Sequence, residues 1–320
     1  MSRIIYFLKL IRLKNLIIVA LTQLLIKFSL INPFVDNFIL SNTQFYLLVL
    51  ATVFITASGY IINDIYDVET DKANKEKSRI IGKSITSRNA ITWFILFNLL
   101  GVGLGFYIAY IVKRPYYSLI FIYCIFSLWT YSKSMKTSFL FGNLQVSLLT
   151  ALSIFNVALF DIIPNGINKN NGEMMIFKII IFYAAFAFII TFIREIIKDL
   201  EDMEGDKKIQ ARTLAITCGI EKTKRVSLIF TIFIFLGMVY FQYFQYSIAN
   251  SKFEYVISIW GVNKIAIIYA ILIQFLFLFL GFKIYTSKLK IDFYFISQLC
   301  KIIMIVGILS IPLFTYLHLN

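Results

Sequence analysis

The chain has 320 residues, of which 59% are apolar and 17% aromatic, and its formal net charge is +14 at pH 7. Soluble domains are about 45–50% apolar, whereas apolar runs of about 20 residues recur here along the whole length, long enough to cross a membrane as helices. The composition excludes an ordinary soluble domain, and the unbroken runs exclude the alternating pattern of a membrane β-barrel. The predicted fold class is an all-α integral membrane protein.

The first element is a segment at residues 1–15 that alternates basic and apolar residues. No small-residue cleavage site follows it, which favours an interfacial amphipathic helix over a signal peptide. About nine membrane-spanning helices are predicted after it. They are Leu16–Ile31, Phe45–Ile62, Ile91–Val112, Tyr116–Tyr131, Phe139–Phe160, Met174–Ile197, Val226–Ile248, Ile265–Tyr285 and Phe293–Leu317. The longest breaks are residues 64–89 and 199–224, so residues 1–320 are expected to form a single transmembrane domain.

Basic residues predict how these spans are oriented. With alternating spans, 22 Lys and Arg residues lie on the side of the N-terminus and 4 on the other side. Because basic loops stay in the cytoplasm, the N-terminus and both long breaks are expected there, with the protein in the cell membrane. The basic residues flank spans and form no separate patch, which disfavours nucleic acid as a partner.

Both long breaks begin with an acidic block that reads D-x-x-D-x-E-x-D-K. Together, residues 64–76 and 195–206 hold 11 of the 17 acidic residues. Positions i, i+3 and i+7 share one face of a helix, so each block is expected to extend its helix and present a row of carboxylates. An even number of spans separates the blocks, which places them on the same side. The carboxylates are Asp64, Asp67 and Asp71 in the first block, and Asp199, Asp202 and Asp206 in the second.

Carboxylates at a helix C-terminus repel one another and oppose the helix dipole, so this pattern indicates a bound cation. Mg²⁺ takes carboxylate and phosphate oxygens. Ca²⁺ would suit a 12-residue loop with a glycine turn, and Zn²⁺ would require Cys or His, but the only histidine is His318. Basic residues such as Lys72 and Lys207 follow each block, as expected for a site that binds a phosphorylated group. The alternative is that these acids and bases pair with each other on a solvated loop.

These residues resemble the two signatures of the UbiA superfamily of intramembrane prenyltransferases. Asn63 and the first three aspartates match N-D-x-x-D-x-x-x-D, and the second three match D-x-x-D-x-x-x-D. The nine spans and the positions of the motifs after spans two and six also resemble that family. The resemblance implies that the six aspartates hold two Mg²⁺ ions on the diphosphate of a polyprenyl donor. It further implies that Asp64, Asp67, Asp199 and Asp202 are catalytic.

The same resemblance implies further substrate-binding residues. Arg12 and Asn15 resemble a basic-Asn pair before the first span, and Arg79 stands where the family has Arg-Pro, with Ile80 in place of the proline. The segment 131–136 resembles one whose lysine reaches the diphosphate. For Asn143, helix packing remains an alternative. The expected substrate-binding residues are Arg12, Asn15, Asn63, Lys72, Arg79, Lys133, Asn143, Arg194, Lys198 and Lys207.

The acceptor is suggested by residues 194–206, which resemble the digeranylgeranylglyceryl phosphate synthase branch. That branch transfers geranylgeranyl to geranylgeranylglyceryl phosphate, whose own phosphate would explain the cations Arg194 and Lys198. For Arg194, the alternative is an ion pair with Glu195 or Asp199. The alternatives for function are an aromatic-acceptor prenyltransferase, a terpene cyclase of the same superfamily and a cation transporter. The transporter is disfavoured because the spans are nearly free of acids.

Overall fold

A computed structural model describes residues 3–35, 38–68, 79–165, 171–249 and 259–319. Apart from one isolated bridge between Ile81 and Ile85, these residues form helices and turns, with no strand among them. The helices are α1 (Arg3–Leu10), α2 (Leu13–Leu25), α3 (Asn42–Tyr66), α4 (Ser87–Ile111), α5 (Leu119–Lys133), α6 (Phe141–Asp161), α7 (Asn171–Lys208), α8 (Leu214–Cys218), α9 (Ile220–Ala249), α10 (Ile259–Val262), α11 (Lys264–Thr286) and α12 (Lys290–Leu319).

The all-α membrane architecture is confirmed, but the count of nine spans is not. In the described part of the chain, 8 helices are long and apolar enough to cross a membrane. One of them is α2 together with the π-helical segment Ile26–Ile31 and the turn Asn32–Phe34. The predicted span Tyr116–Tyr131 falls on α5, which has 15 residues after a 3₁₀ turn. At about 22 Å, α5 is shorter than the roughly 30 Å hydrocarbon core.

Polar residues at the ends of the apolar runs determine where several helices begin. At the start of α3, the Ser41 side chain accepts a hydrogen bond from the Gln44 amide, and the Gln44 side chain accepts one from the Ser41 amide. This reciprocal capping satisfies amides that have no partner within the helix. The Thr86 side chain caps α4 in the same position through the amide of Asn89.

The chain divides into two compact units, and the first comprises Met1–Leu24, Asn37–Leu149 and Ser153–Gly166. Within it, α3 packs along α4 and α5. Glycines allow these close approaches, because a Cβ at Gly101 would lie 2.6 Å from Ile55 Cγ1 and one at Gly105 would overlap the Phe121 ring. Small residues let membrane helices come close enough for van der Waals packing. Gly103, between the two, has nothing within 4 Å of such a Cβ.

Gly105 and Gly103 therefore make a matched pair for a stability test. We expect Gly105→Ala to lower the free energy of unfolding by about 1–3 kcal/mol, because the added methyl overpacks against Phe121. Gly103→Ala should be neutral or stabilising by up to about 1 kcal/mol, since alanine favours helix. Thermal unfolding of both variants in the same detergent measures the difference. Equal midpoints would contradict the close packing of α4 on α5.

Buried polar groups tie the helices of the first unit together. Gln23 of α2 is fully buried, and its amide nitrogen donates to Thr52 Oγ1 at 3.2 Å and to the Ser153 carbonyl at 2.6 Å. These bonds link α2 to α3 and α6. Because polar groups are costly in an apolar interior without partners, they favour one register of the three helices.

The second unit comprises Leu25–Asp36, Thr150–Leu152 and Ile167–Asn320, and α7, α9, α11 and α12 form its bundle. Its core is apolar, and polar contacts cross it at a few points. The amide of Gln274 donates to Gln242 Oε1 at 2.8 Å between α11 and α9. Helix α7 has 38 residues, or about 57 Å, so its length exceeds the membrane and its polar C-terminal end projects beyond the apolar part.

Candidate functional site

The first acidic block lies where α3 ends. Asn63 and Asp64 belong to the last turn of α3, and Asp67 is its C-cap. Within the described residues, the helix predicted to run through this block is interrupted by a turn at Asp67, and the predicted row beyond Val68 lies outside them. Successive carboxylates oppose the dipole at a helix C-terminus, and Asp is a weak helix former. Asp71 and Lys72 lie outside the described residues, as do the roles predicted for them.

Both described carboxylates of this block are paired with cations from distant parts of the chain. Arg12 Nη2 lies 3.3 Å from Asp64 Oδ1, and Lys136 Nζ forms an ion pair with Asp67 Oδ1. The Asn63 amide donates to the other Asp67 oxygen, Oδ2, at 2.8 Å. The Asp64 and Asp67 side chains are 22% and 24% exposed. Each carboxylate is thus largely removed from solvent and forms an ion pair with a cation of the protein.

The break between α1 and α2 places Arg12 beside Asp64. Its φ is 50°, a left-handed conformation that costs a non-glycine residue about 1–2 kcal/mol. The guanidinium lies over the Tyr60 ring, 4.7 Å from its centroid, and the Tyr60 hydroxyl accepts a bond from Asn15 Nδ2 at 3.2 Å. The structure thus places the predicted pair, Arg12 and Asn15, beside the first block.

Lys136 is held at Asp67 by the connection between α5 and α6. It lies in the 3₁₀ turn Met135–Thr137, and Gly142 packs directly against the backbone of that turn. A Cβ at Gly142 would lie 2.6 Å from the Met135 carbonyl oxygen and 2.9 Å from Lys136 Cα. Only glycine fits this approach, so Gly142 sets the position from which Lys136 reaches the block.

The structure distinguishes two lysines of this connection. Lys133, which the sequence predicts as substrate-binding, has its ammonium 4.9 Å from the centroid of the Trp129 ring. Lys136 is the one that contacts the first block. The resemblance of residues 131–136 included it beside Lys133, but only Lys133 was predicted to bind substrate. The sequence signal that could have selected Lys136 is Gly142, whose lack of a side chain marks a close backbone approach.

Asn143 and Gln145 follow at the start of α6. Asn143 is buried, and its carbonyl accepts a bond from Ser147 Oγ at 2.6 Å. The Gln145 amide nitrogen donates to the Ser127 carbonyl at 2.9 Å and to Thr130 Oγ1 at 2.9 Å. Its oxygen Oε1 is buried and has no hydrogen-bond partner among the described residues. Sequence reasoning missed Gln145, although a polar side chain inside an apolar run is itself a signal.

Arg79 presents hydrogen-bond donors that the described residues do not use. Its Nε and Nη1 atoms are buried and have no hydrogen-bond partner in the part of the chain that the structure describes. Buried N–H donors without partners are costly, and the planar donors of a guanidinium match phosphate oxygens. The phosphate-binding role of Arg79 stays a prediction, and Ile80 replaces the proline of the family pattern.

The second acidic block continues its helix, as predicted. Helix α7 extends without interruption to Lys208, so its three aspartates lie at i, i+3 and i+7 on one helical face. The aspartates of this face are half-buried, as is Lys198, whereas Lys207 is exposed. The carboxylate face consists of Asp199, Asp202 and Asp206.

Arg194 lies one turn before this face. Its Nη1 forms an ion pair with Glu195 Oε1, which is the alternative that the sequence left open. Its Nε is buried and lacks a hydrogen-bond partner among residues with described side chains. The pair with Glu195 therefore uses only some of the N–H donors of the Arg194 guanidinium.

The donor set fits Mg²⁺ better than a softer metal. The block residues offer carboxylate and amide oxygens, which magnesium prefers, and no histidine or thiolate, which zinc would require. Within the described ranges, no group of three or more His, Cys, Asp or Glu side chains is placed to hold a metal. The contacts of Asp64 and Asp67 with Arg12 and Lys136 nevertheless show that these oxygens already bind cations.

The sequence model of the UbiA prenyltransferase family matches residues 25–299. The chain belongs to the UbiA prenyltransferase family. That match includes both acidic blocks and the connection that carries Lys136. In this UbiA chain, the first motif begins in the last turn of α3, and the second lies within α7.

Similarity to individual proteins is consistent with this assignment. Digeranylgeranylglyceryl phosphate synthase of Saccharolobus solfataricus is 35% identical over 182 residues, which are 57% of this chain and 59% of that relative. The chain spans about six tenths of the length of the curated relatives it matches.

Two solved structures share the fold over nearly the full chain. One, from a study of digeranylgeranylglyceryl phosphate synthase in membranes, is 23% identical with a TM-score of 0.65 and covers 98% of this chain and 99% of its own. The other, a UbiA homologue from Archaeoglobus fulgidus bound to DMAPP and Mg²⁺, is 16% identical with a TM-score of 0.59, covering 96% and 98%. The UbiA fold of this membrane protein is thereby established.

Proposed function

We propose that this chain is a Mg²⁺-dependent prenyltransferase that moves a geranylgeranyl group from its diphosphate to geranylgeranylglyceryl phosphate. The observation that carries the proposal is the convergence of Arg12 and Lys136 on the motif carboxylates Asp64 and Asp67. Carboxylates and cations side by side suit a ligand that is itself a complex of Mg²⁺ and diphosphate. The family and its relatives support the same reaction class.

Each of the two acidic blocks is proposed to bind Mg²⁺. Asp64, Asp67 and Asp71 would contribute from the first block, and Asp199, Asp202 and Asp206 from the second. When bound, Mg²⁺ would neutralise charge on the departing diphosphate as a Lewis acid. The Archaeoglobus fulgidus homologue bound to DMAPP and Mg²⁺ supports this assignment by analogy.

The remaining contacts with the diphosphate of the prenyl donor are proposed to come from the cations around the first block. Arg12, Lys136 and Arg79 would donate N–H bonds to phosphate oxygens, and Asn63 would orient Asp67 through its 2.8 Å bond. Such donors stabilise negative charge most where water is excluded. Further proposed contacts, for which the described residues give less support, come from Asn15, Lys72, Lys133, Asn143 and Lys207.

The acceptor is proposed from the second block. Arg194 and Lys198 lie on α7 directly before Asp199 and would bind the acceptor's own phosphate, since Arg194 keeps an unused donor beside its pair with Glu195. The acceptor hydroxyl oxygen would then form a bond to the allylic carbon while the carbon–oxygen bond to diphosphate breaks and the hydroxyl proton is released. The name of the Saccharolobus solfataricus relative supports this acceptor.

The site is proposed to face the cytoplasm. The bias of 22 basic residues to 4 between the two sides supports this orientation. Accessibility of a single introduced cysteine at exposed Lys14 or Lys207, in sealed inverted and right-side-out vesicles, would establish the side.

The test of function supplies the purified protein with geranylgeranyl diphosphate, Mg²⁺ and a panel of acceptors, and identifies products by mass spectrometry. We expect a doubly prenylated glyceryl phosphate and one diphosphate per product. Consumption of donor only with a hydroxybenzoate or naphthoate would overturn the acceptor. A cyclised hydrocarbon formed without any acceptor would instead identify a cyclase.

A further inference from the structure

The motif carboxylates Asp64 and Asp67 are each paired with a cation of the protein itself. Each is bound through its Oδ1 oxygen by a protein cation, Arg12 in one case and Lys136 in the other. A carboxylate oxygen bound by an ammonium or guanidinium gives one of its lone pairs to that cation, and the cation repels a divalent metal of like charge. Metal and protein cation therefore compete for the same carboxylates.

Features of the backbone fix the positions of the two competing cations. Arg12 has a left-handed backbone at the helix break and rests on the Tyr60 ring. Lys136 lies on a turn that packs against Gly142. A Cβ added at Gly142 would lie 2.6 Å from the Met135 carbonyl oxygen. A strained non-glycine residue persists only where its surroundings fix it. Both cations would thus remain near the block after leaving the carboxylates.

We propose that Arg12 and Lys136 are internal counter-cations, which hold Asp64 and Asp67 in the metal-free protein and are displaced to the donor's phosphate oxygens when Mg²⁺ binds. This inference rests on the proposed function, because it takes Mg²⁺ and a diphosphate as ligands. It adds that metal and diphosphate bind cooperatively. Metal alone must break two ion pairs, whereas metal with diphosphate gives the displaced cations new partners, and such coupling is reciprocal between the two ligands.

The proposal predicts opposite effects of one substitution on two affinities. Lys136→Gln removes the competitor of the metal, so Mg²⁺ should bind more tightly to donor-free protein, by about three- to fivefold for a partly exposed ion pair. The same substitution removes a cation that would contact phosphate, so inorganic diphosphate with Mg²⁺ should bind about tenfold more weakly. Replacing a lysine with only a structural role would not change the Mg²⁺ affinity and the diphosphate affinity in opposite directions.

The experiment titrates Mg²⁺ into purified, donor-free protein in detergent by calorimetry, and then titrates inorganic diphosphate at saturating Mg²⁺. Lys113→Gln is the matched control for the metal titration, since Lys113 is an exposed lysine outside the proposed site. Arg12→Gln is compared in the same way with Lys14→Gln, an exposed cation two residues away. We expect tighter metal binding in Lys136→Gln and Arg12→Gln, and wild-type metal binding in both controls.

The outcomes separate this inference from the function on which it rests. If wild-type protein binds no Mg²⁺, or binds it equally well after Asp67→Asn, the proposed metal site fails. If binding depends on Asp67 but Lys136→Gln leaves it unchanged or weakens it, the site stands and the counter-cation role is overturned. Circular dichroism and thermal unfolding of each variant confirm that the titrated protein is folded.

Discussion

Replacing Asp67 with asparagine is expected to lower the rate of Mg²⁺-dependent diphosphate release from the prenyl donor by about 10³-fold. The substitution keeps the size of the side chain but removes the charge that Lys136 contacts and that a metal would need. The Asn63 amide can still donate to the remaining carbonyl oxygen, so the end of α3 should keep its conformation. Diphosphate release is measured by a coupled assay across a range of Mg²⁺ concentrations.

The same loss is expected for Asp64→Ala and Asp199→Asn, while Glu204→Gln is the matched control. Glu204 is an exposed acid within the second block but lies off its i, i+3, i+7 face. It should therefore retain wild-type turnover. Full turnover in Asp67→Asn, Asp64→Ala and Asp199→Asn alike, with unchanged unfolding midpoints, would refute the carboxylate site in both blocks.

Adding a single methyl at Gly142 is expected to lower kcat/KM by about 100-fold, an effect typical of a reacting group misplaced by about 1 Å. The Cβ of Gly142→Ala would lie 2.6 Å from the Met135 oxygen and 2.9 Å from Lys136 Cα. Both are backbone atoms, so the turn that carries Lys136 must shift. Overpacking of this kind also costs about 1–3 kcal/mol of stability. Steady-state kinetics and thermal unfolding are measured on the same preparation.

Two comparisons separate a local displacement from general damage. Gly237→Ala makes the same change in α9 where nothing lies within 4 Å of the added carbon, and it should leave kcat/KM unchanged. In a double-mutant cycle, Gly142→Ala and Lys136→Gln should be strongly non-additive, because both act through the position of one ammonium. Additive losses would show that Gly142 affects activity by another route.

The helices and the chemistry of the blocks follow largely from local sequence. Apolar length predicts the membrane helices, because the bilayer leaves the backbone few alternatives to a helix. The i, i+3, i+7 spacing predicts the carboxylate face of α7, which one uninterrupted helix realises. In the first block, α3 ends at Tyr66 and Asp67 is its C-cap, while Asp71 lies outside the described residues. Spacing thus predicts which residues would share one face of a helix, but not where that helix ends.

The partners of the first block were decided by tertiary structure alone. Arg12 and Asp64 are 52 residues apart, and Lys136 and Asp67 are 69 apart. No local pattern reports such contacts, which is why Lys133, and not Lys136, was predicted to bind substrate. By itself, the sequence determined an all-helical membrane protein with two clustered acidic blocks, because apolar length and charge act locally. The fold decided which cations meet those carboxylates, because that depends on where a strained Arg12 and a side-chain-free Gly142 let distant backbones approach.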